Sequence, residues 1–274
     1  MRVLIATEPG NPARDNEDFA AAASGVLLVV DGAGAPAGLE SGCSHSVSWY
    51  ARSLGGLLLA EAVNTGASLP EALAVAIERV NALHQDACDL EHPGSPSATV
   101  ALARVAGDHL EYLVLSDSVL VLDQVDDEPL VVTDDRLGRV IAKLDDPDER
   151  PPLGTDEHAA GLLSRVQKLA LYRNQPGGFW VASTKPEAAG QALTGSVPLE
   201  GLGAVALLSD GASRLADRFG LATWHELLAV LRKEGPGELI ARTREVEASD
   251  PDGSRWPRGK ASDDASVVYW RPHE

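Results

Sequence analysis

The acidic residues of this chain fall repeatedly at one kind of place, the junction of an apolar run with a Gly or Ser turn. Val29-Val30-Asp31-Gly32 is one junction, and Leu207-Leu208-Ser209-Asp210-Gly211 is a second. Val114-Leu115-Ser116-Asp117-Ser118 is a third, and Ser262-Asp263-Asp264-Ala265-Ser266 sets two carboxylates just ahead of a final apolar run. Near the start, Asn16-Glu17-Asp18 precedes Phe19. A single Asp-Gly after a strand is ordinarily a turn, because Asp bonds its own backbone and Gly accepts positive φ. Two such pairs plus an Asp-Asp pair point instead to carboxylates gathered around cations. Hard divalent ions such as Mg2+ or Mn2+ take oxygen ligands, a few carboxylates and several retained waters. Two of them close together activate a water and stabilise an in-line displacement at phosphorus.

The elements that would hold these residues follow from periodicity. Residues 2–7 predict a strand, and 19–23 with 26–30 a tight hairpin about Ser24-Gly25, followed by a loop over 31–36. Helices are expected over 44–62 and 68–87, the second with Ser68 as cap and Pro70 in its first turn. Residues 97–105 and 110–122 read as strands split by Gly107-Asp108, and 178–183, 204–208 and 266–270 as further strands. Helices are expected over 156–172, 186–193, 224–233 and 238–247. Strands in hairpins, rather than alternating with helices, indicate an α+β fold with antiparallel sheets.

Composition removes several classes of function. The 274 residues carry 23 Lys and Arg against 41 Asp and Glu, a net charge of −18. That argues against a nucleic-acid partner, which requires a basic face, and against docking on anionic lipid. No apolar run approaches the roughly 18 residues of a membrane span, and no signal segment is evident, so a cytoplasmic location is expected. Cys43 and Cys88 lie far apart without a CxxC spacing, and His84 and His92 lack ligand spacing with a third partner. Two reduced, buried thiols are expected, with no zinc site. Ten acidic and three basic residues between 123 and 149 suggest an exposed loop. The five tryptophans read as core or interface aromatics.

In their order, these elements resemble the metal-dependent protein phosphatases of the protein phosphatase 2C type. The resemblance rests on Asn16-Glu17-Asp18, Val30-Asp31-Gly32-Ala33-Gly34, Ser97-Ala98-Thr99, Ser116-Asp117-Ser118, Ser209-Asp210-Gly211 and Asp263-Asp264-Ala265-Ser266-Val267. It spans roughly residues 10 to 271, so one catalytic domain with nothing appended is expected. The fold it implies is a four-layer sandwich, two antiparallel sheets flanked by helix pairs, with metals at one end.

The resemblance also implies roles. Asp31 would bridge two Mn2+ or Mg2+ ions, the Gly32 carbonyl would bind one of them, and Asp210 and Asp263 would hold the other. Glu17 or Asp18 would stand beside the Gly32 metal through water, Asp117 would serve a third ion, and Asp264 would act behind the ligands. A metal-bridging hydroxide would attack phosphoserine or phosphothreonine in a phosphoprotein directly, the enzyme acting as a monomer. The segment 123–149 falls where family members place a flap.

The chain departs from the family at several points. Eukaryotic members often carry a His, proposed as leaving-group acid, where this chain has Ala33; His45 is the nearest substitute in sequence. The family's phosphate-binding Arg falls at Ala13, with Arg14 one position off, either serving that role or a solvated loop charge. Arg255 and Arg258, just before Asp263, are alternative phosphate-binding candidates. Arg214 stands where some members have a third-site acid. These departures keep open a second reading, a degenerate phosphatase-like module that binds metal or partners without turnover. An aspartate-nucleophile phosphatase is discarded, because it needs a second Asp at position 33.

Overall fold

The computed structural model describes residues 2–34, 39–125, 127–144 and 151–272. Two five-stranded antiparallel sheets form its centre. One runs β1 (Val3–Glu8), β10 (Ala265–Trp270), β9 (Leu202–Leu208), β6 (Val119–Gln124) and β7 (Leu130–Val132). The other runs β2 (Asp18–Ala23), β3 (Val26–Ala33), β4 (Ser97–Ala106), β5 (His109–Leu115) and β8 (Leu193–Pro198). Leu27, Val29 and Val114 of one sheet meet Leu120, Leu207 and Val268 of the other in a common apolar layer.

Each outer face carries helices. Helices α1 (Val47–Asn64) and α2 (Leu69–His84) pack on the β2–β8 sheet, and α5 (Asp210–Asp217), α6 (Trp224–Lys233) and α7 (Pro236–Ser249) on the β1–β7 sheet. Two further helices, α3 (Arg136–Leu144) and α4 (Asp156–Ala170), pack together beside Phe179 and Val181. The expected α+β sandwich is therefore the observed fold. Its inner strands are covered on both faces, which is why Val26–Val30 and Ala204–Leu208 read as unbroken apolar runs rather than alternations.

Local signals acted where expected. Ser68 caps α2 in a full capping box with Glu71, an arrangement in which losing the cap costs about 1 kcal/mol. The β2–β3 hairpin turns at Ser24-Gly25, both at positive φ. Among the described residues, no helix is long and apolar enough to cross a membrane.

Several expectations are corrected. The run 110–122 is two strands in different sheets, broken at Ser116, whose φ of 66° turns the chain from β5 into β6. Residues 178–183 form only isolated bridges, Arg173 with Phe179 and Ala98 with Ala182. The helix expected over 186–193 is a 3-10 segment, Pro186–Gln191, followed directly by β8. The acidic stretch 123–149 is not simply an exposed loop. Asp123 and Asp134 are buried in ion pairs with Arg232 and Arg136, and the stretch includes β7 and α3. Of the loop expected over 31–36, Asp31, Gly32 and Ala33 instead continue β3, and Ala35 and Pro36, like residues 126 and 145–149, lie outside the described residues.

Candidate metal centre

Antiparallel pairing brings the ends of β3, β5 and β9 to the same edge as the starts of β2, β6 and β10. The acidic residues singled out from the sequence stand there. Asp31 and Gly32 are not in a turn; both lie within β3, opposite Thr99 and Ala98 of β4. Asp210 opens α5 directly after β9, with Ser209 as the N-cap position. Asp117 follows Ser116 in the β5–β6 turn, and Asp263 and Asp264 immediately precede β10.

The two Asp-Gly pairs need glycine for closeness rather than for positive φ. A Cβ on Gly32 would lie 2.5 Å from the Glu17 carbonyl oxygen and 2.7 Å from Val47 Cγ1. The Gly32 amide donates to that same carbonyl at 3.1 Å. A Cβ on Gly211 would overlap the Asp264 carbonyl. The glycines thus let the Glu17 and Asp264 segments close on the strand ends that bear Asp31 and Asp210. Asp264 completes this closure, accepting from the Gly10 amide at 2.7 Å and the Glu17 amide at 2.6 Å.

The register sets two carboxylates against each other. Asp18 is directly opposite Asp31 across the β2–β3 ladder, where like charges are destabilising. Asp18 is 5% exposed, and neither of its carboxylate oxygens has a hydrogen-bond partner. Burial pushes the Asp18 carboxyl up to about 7, and the charges of Asp264 and Asp210 add to the shift. The Ser266 and Ser209 hydroxyls lie close enough to oppose it without forming hydrogen bonds of good geometry. Asp31 is raised well above the carboxylate range by burial, then by Asp18, Asp210, Asp263 and Asp117. Asp210 is pushed to about 7 by burial, reinforced by Asp263 and Asp117. Burial likewise raises Asp117 and Glu17.

Such a set is unstable as anions alone, since buried charges require pairing. Oxygen donors with unmade bonds and mutual repulsion fit hard divalent cations. The residues that could hold them are Asp31, the Gly32 carbonyl, Asp210, Asp263, Glu17, Asp18 and Asp117. Protein cations already meet one of these. Asp263 pairs with Lys260 at 2.7 Å and with the buried Arg214 at 2.9 Å, and these charges hold its carboxyl low against burial. Burial alone would depress the Lys260 ammonium, but Asp263, Asp31 and Glu17 raise it. Arg214 is fixed from behind by Glu247 at 2.6 Å.

The basic candidates separate. Arg14 lies on an exposed loop, where its charge helps lower Glu17. Arg255 is exposed and lies over the Trp256 ring at 4.1 Å. Arg258 is corrected as a phosphate-binding candidate. It is 5% exposed, pairs with Asp250 at 2.7 Å, and donates to the Ala261, Trp256, Glu247 and Asp250 carbonyls. Its role is to fix the loop ahead of Asp263. Arg258→Ala would leave Asp250 buried without its cation, so a loss of about 3–5 kcal/mol is expected in denaturant unfolding.

Lys260, the last residue of the basic run 255–260 that the sequence sets just before Asp263, is the member of that run that reaches the carboxylates, whereas sequence reasoning missed Arg218. Arg218 is exposed, yet its charge acts on both Asp117 and Asp210. The available signal was the spacing of Arg218, which caps the C-terminus of α5 four residues beyond Arg214.

His45 is placed elsewhere. Its ring stacks on Trp49 at 4.0 Å, and its Nδ1 faces the sulfurs of Cys43 and Cys88 at 3.7 and 3.4 Å. The two thiols are free but half-buried rather than buried, and the expectation that His84 lacks ligand partners is overturned, because Cys43, His45, His84 and Cys88 converge. Among the described residues, this is the one set close enough to grip a single ion; the carboxylates are spread more widely.

The chain is thus a double antiparallel sandwich with carboxylates gathered at one edge. The family description "Protein phosphatase 2C" matches residues 7–243, and the chain belongs to that family. Among solved structures, the Mycobacterium tuberculosis serine/threonine phosphatase PstP/Ppp is 18% identical, with a TM-score of 0.56, covering 98% of this chain and 97% of that one. A PstP catalytic domain solved with two manganese ions is likewise 18% identical, with a TM-score of 0.56, over 98% and 96%. Stp1 from Staphylococcus aureus is 13% identical, with a TM-score of 0.60, covering 99% and 95%. No curated protein matches the chain.

Proposed function

We propose that this chain is a Mn2+- or Mg2+-dependent serine/threonine phosphoprotein phosphatase that hydrolyses phosphate monoesters by direct attack of water. One observation carries the reading: the buried Asp18 and the half-buried Asp31 face each other in ladder register, with no cation of the protein paired to Asp18 among the described residues. Family membership supports it, as does the PstP catalytic domain described with two manganese ions.

In this reading Asp31, the Gly32 carbonyl, Asp210 and Asp263 would hold two ions, Glu17 and Asp18 would stand beside them, and Asp117 would serve a third. When bound, the ions supply a water of lowered pKa and neutralise charge on the phosphoryl oxygens. The chain's own part is positional. Asp264 fixes the Glu17 amide, while the register of β2 and β3 holds Asp18 directly opposite Asp31. Arg218, Arg14 and Lys260 offer positive charge at the rim toward an incoming phosphate. The net charge of −18 favours phosphoproteins with basic residues around the phosphorylated position.

The test is phosphate release from phosphoserine and phosphothreonine peptides with Mn2+ and with excess chelator. Turnover in Mn2+ alone is expected, and turnover undiminished by chelator rejects the reading.

A second reading, a module without turnover, is favoured by one specific observation: Lys260 and Arg214 already neutralise Asp263. Lys260→Met discriminates between the two. Under the phosphatase reading the ammonium competes with the ion, so its removal should tighten Mn2+ binding about tenfold in a calorimetric titration, the equivalent of about 1.4 kcal/mol. Unchanged binding with no turnover in either protein supports the module.

A further inference from the structure

Four soft ligand groups meet outside the acidic centre. Cys43 and His45 lie in the segment leading into α1, while His84 ends α2 and Cys88 follows it. The helices are joined by a short connection, Thr65–Ser68, so their antiparallel packing returns the end of α2 to the start of α1. The two sequence fragments, Cys43-x-His45 and His84-x3-Cys88, are thereby superposed at one end of the helical hairpin.

The geometry is that of a closed coordination shell. One donor atom from each of the four residues lies within 4.8 Å of every other. The sulfur–nitrogen separations are 3.7 Å and 3.5 Å from Cys43 to His45 and His84, and 3.4 Å from Cys88 to His45. A tetrahedron with Zn–S of about 2.3 Å and Zn–N of about 2.0–2.1 Å has S···N edges of about 3.5 Å. The two sulfurs stand 3.1 Å apart, well beyond the roughly 2.05 Å of a disulfide and short of the tetrahedral S···S edge of about 3.7 Å. Both thiols are free.

The surroundings match a metal site. His84 is 3% exposed and its Nε2 has no hydrogen-bond partner, so the ring's polar engagement is at Nδ1, toward the sulfurs. Backbone amides of Ser44 and His45 donate to the Cys88 and Cys43 sulfurs, each at 3.4 Å. Trp49 covers the group, stacked on His45 and 5.3 Å from the His84 ring. Two thiolates and two neutral imidazoles around a divalent ion form a neutral unit, which suits this partly buried position.

We propose that Cys43, His45, His84 and Cys88 form a structural Zn2+ site, separate in ligand chemistry from the acidic centre. Thiolate and imidazole donors select zinc over the Mn2+ and Mg2+ that carboxylates prefer. Four protein ligands leave no open position, so the ion is structural and His45 is a ligand rather than an acid. The ion clips the entry of α1, which packs against Gly32 through Val47, to the far end of α2. The proposal does not rest on phosphatase activity, and its readouts need no turnover.

The experiment is metal analysis of the purified full chain, with Co2+ substitution. One zinc per chain is expected, retained in a chelator that strips Mn2+ and released by a mercurial thiol reagent. Co2+ replacement should give a thiolate charge-transfer band and the intense visible bands of a tetrahedral ion. Zinc should be lost in Cys88→Ser and kept in Asp31→Asn. If Cys88→Ser does not fold, the Co2+ spectrum of the native chain decides alone, and absence of the thiolate band overturns the proposal. It is equally overturned by an intact mass two hydrogens short with no zinc, which marks a disulfide, or by zinc that disappears in Asp31→Asn.

Discussion

Asp31→Asn should abolish metal-dependent hydrolysis while making the metal-free protein no less stable. Asp31 is the residue on which the charges of Asp18, Asp210, Asp263 and Asp117 all converge. Replacing its carboxylate removes a donor that two ions would share. Residues merely behind metal ligands cost about 10–100-fold when changed, so kcat/KM should fall at least about 100-fold. The same change removes an ionisable group that faces Asp18 across the ladder, and with it the cost of charging the two carboxyls side by side in the absence of metal. The paired outcome, lost turnover with a chelated melting temperature unchanged or higher, separates a ligand from a structural residue. A structural Asp would lower both, as measured by steady-state kinetics beside thermal melts in chelator.

The second large effect is a dependence of stability on pH that metal reverses. Asp18 and Asp210 have folded pKa values of about 7 against an ordinary 3.8. A carboxyl raised on folding binds more protons in the native state, so it lowers stability as pH rises between about 4 and 7. Asp250 and Asp263 are lowered on folding and act in the opposite sense, losing their contribution as pH falls below about 4. Chelated protein should therefore melt lower at about pH 8 than at about pH 5. Bound metal competes with those protons, so the gain from Mn2+ should grow across the same window. At about 100 times its dissociation constant a ligand adds about 2.7 kcal/mol. For a chain of this size that is roughly 5–10 °C. A gain from Mn2+ equal at both pH values would contradict the assignment of these carboxylates.

Much of the site was legible because its residues sit at strand ends. The apolar runs before Asp31 and Asp210 and after Asp264 are inner strands buried on both faces, so their ends are marked sharply in the sequence. What was misread is the work of the glycines: Gly32 and Gly211 serve close approach, which depends on the Glu17 and Asp264 segments far away in sequence. The edge strands β7 and β8 were missed because they are short or half-exposed, without a clear alternation. Helix α5 was missed because its eight residues begin inside the Asp-Gly motif that reads as a turn.

Side-chain partners were the least legible layer. Arg255-Trp256-Pro257-Arg258 reads as a basic cluster, and only the burial of Asp250 reveals that Arg258 is spent internally. Lys260 belongs to the same basic run, but its pairing with Asp263 and its electrostatic reach to Asp31 and Glu17 depend on the turn before β10. The Cys and His fragments each look inert alone, and become a set only once α1 and α2 fold back on each other.

The most direct test of the acidic centre is an anomalous difference map at the manganese edge from crystals of the full chain grown with Mn2+. Two peaks bounded by Asp31, the Gly32 carbonyl, Asp210 and Asp263, with Lys260 displaced from Asp263, are the expected result. A map without manganese among these residues, and with Lys260 still paired to Asp263, would contradict the account.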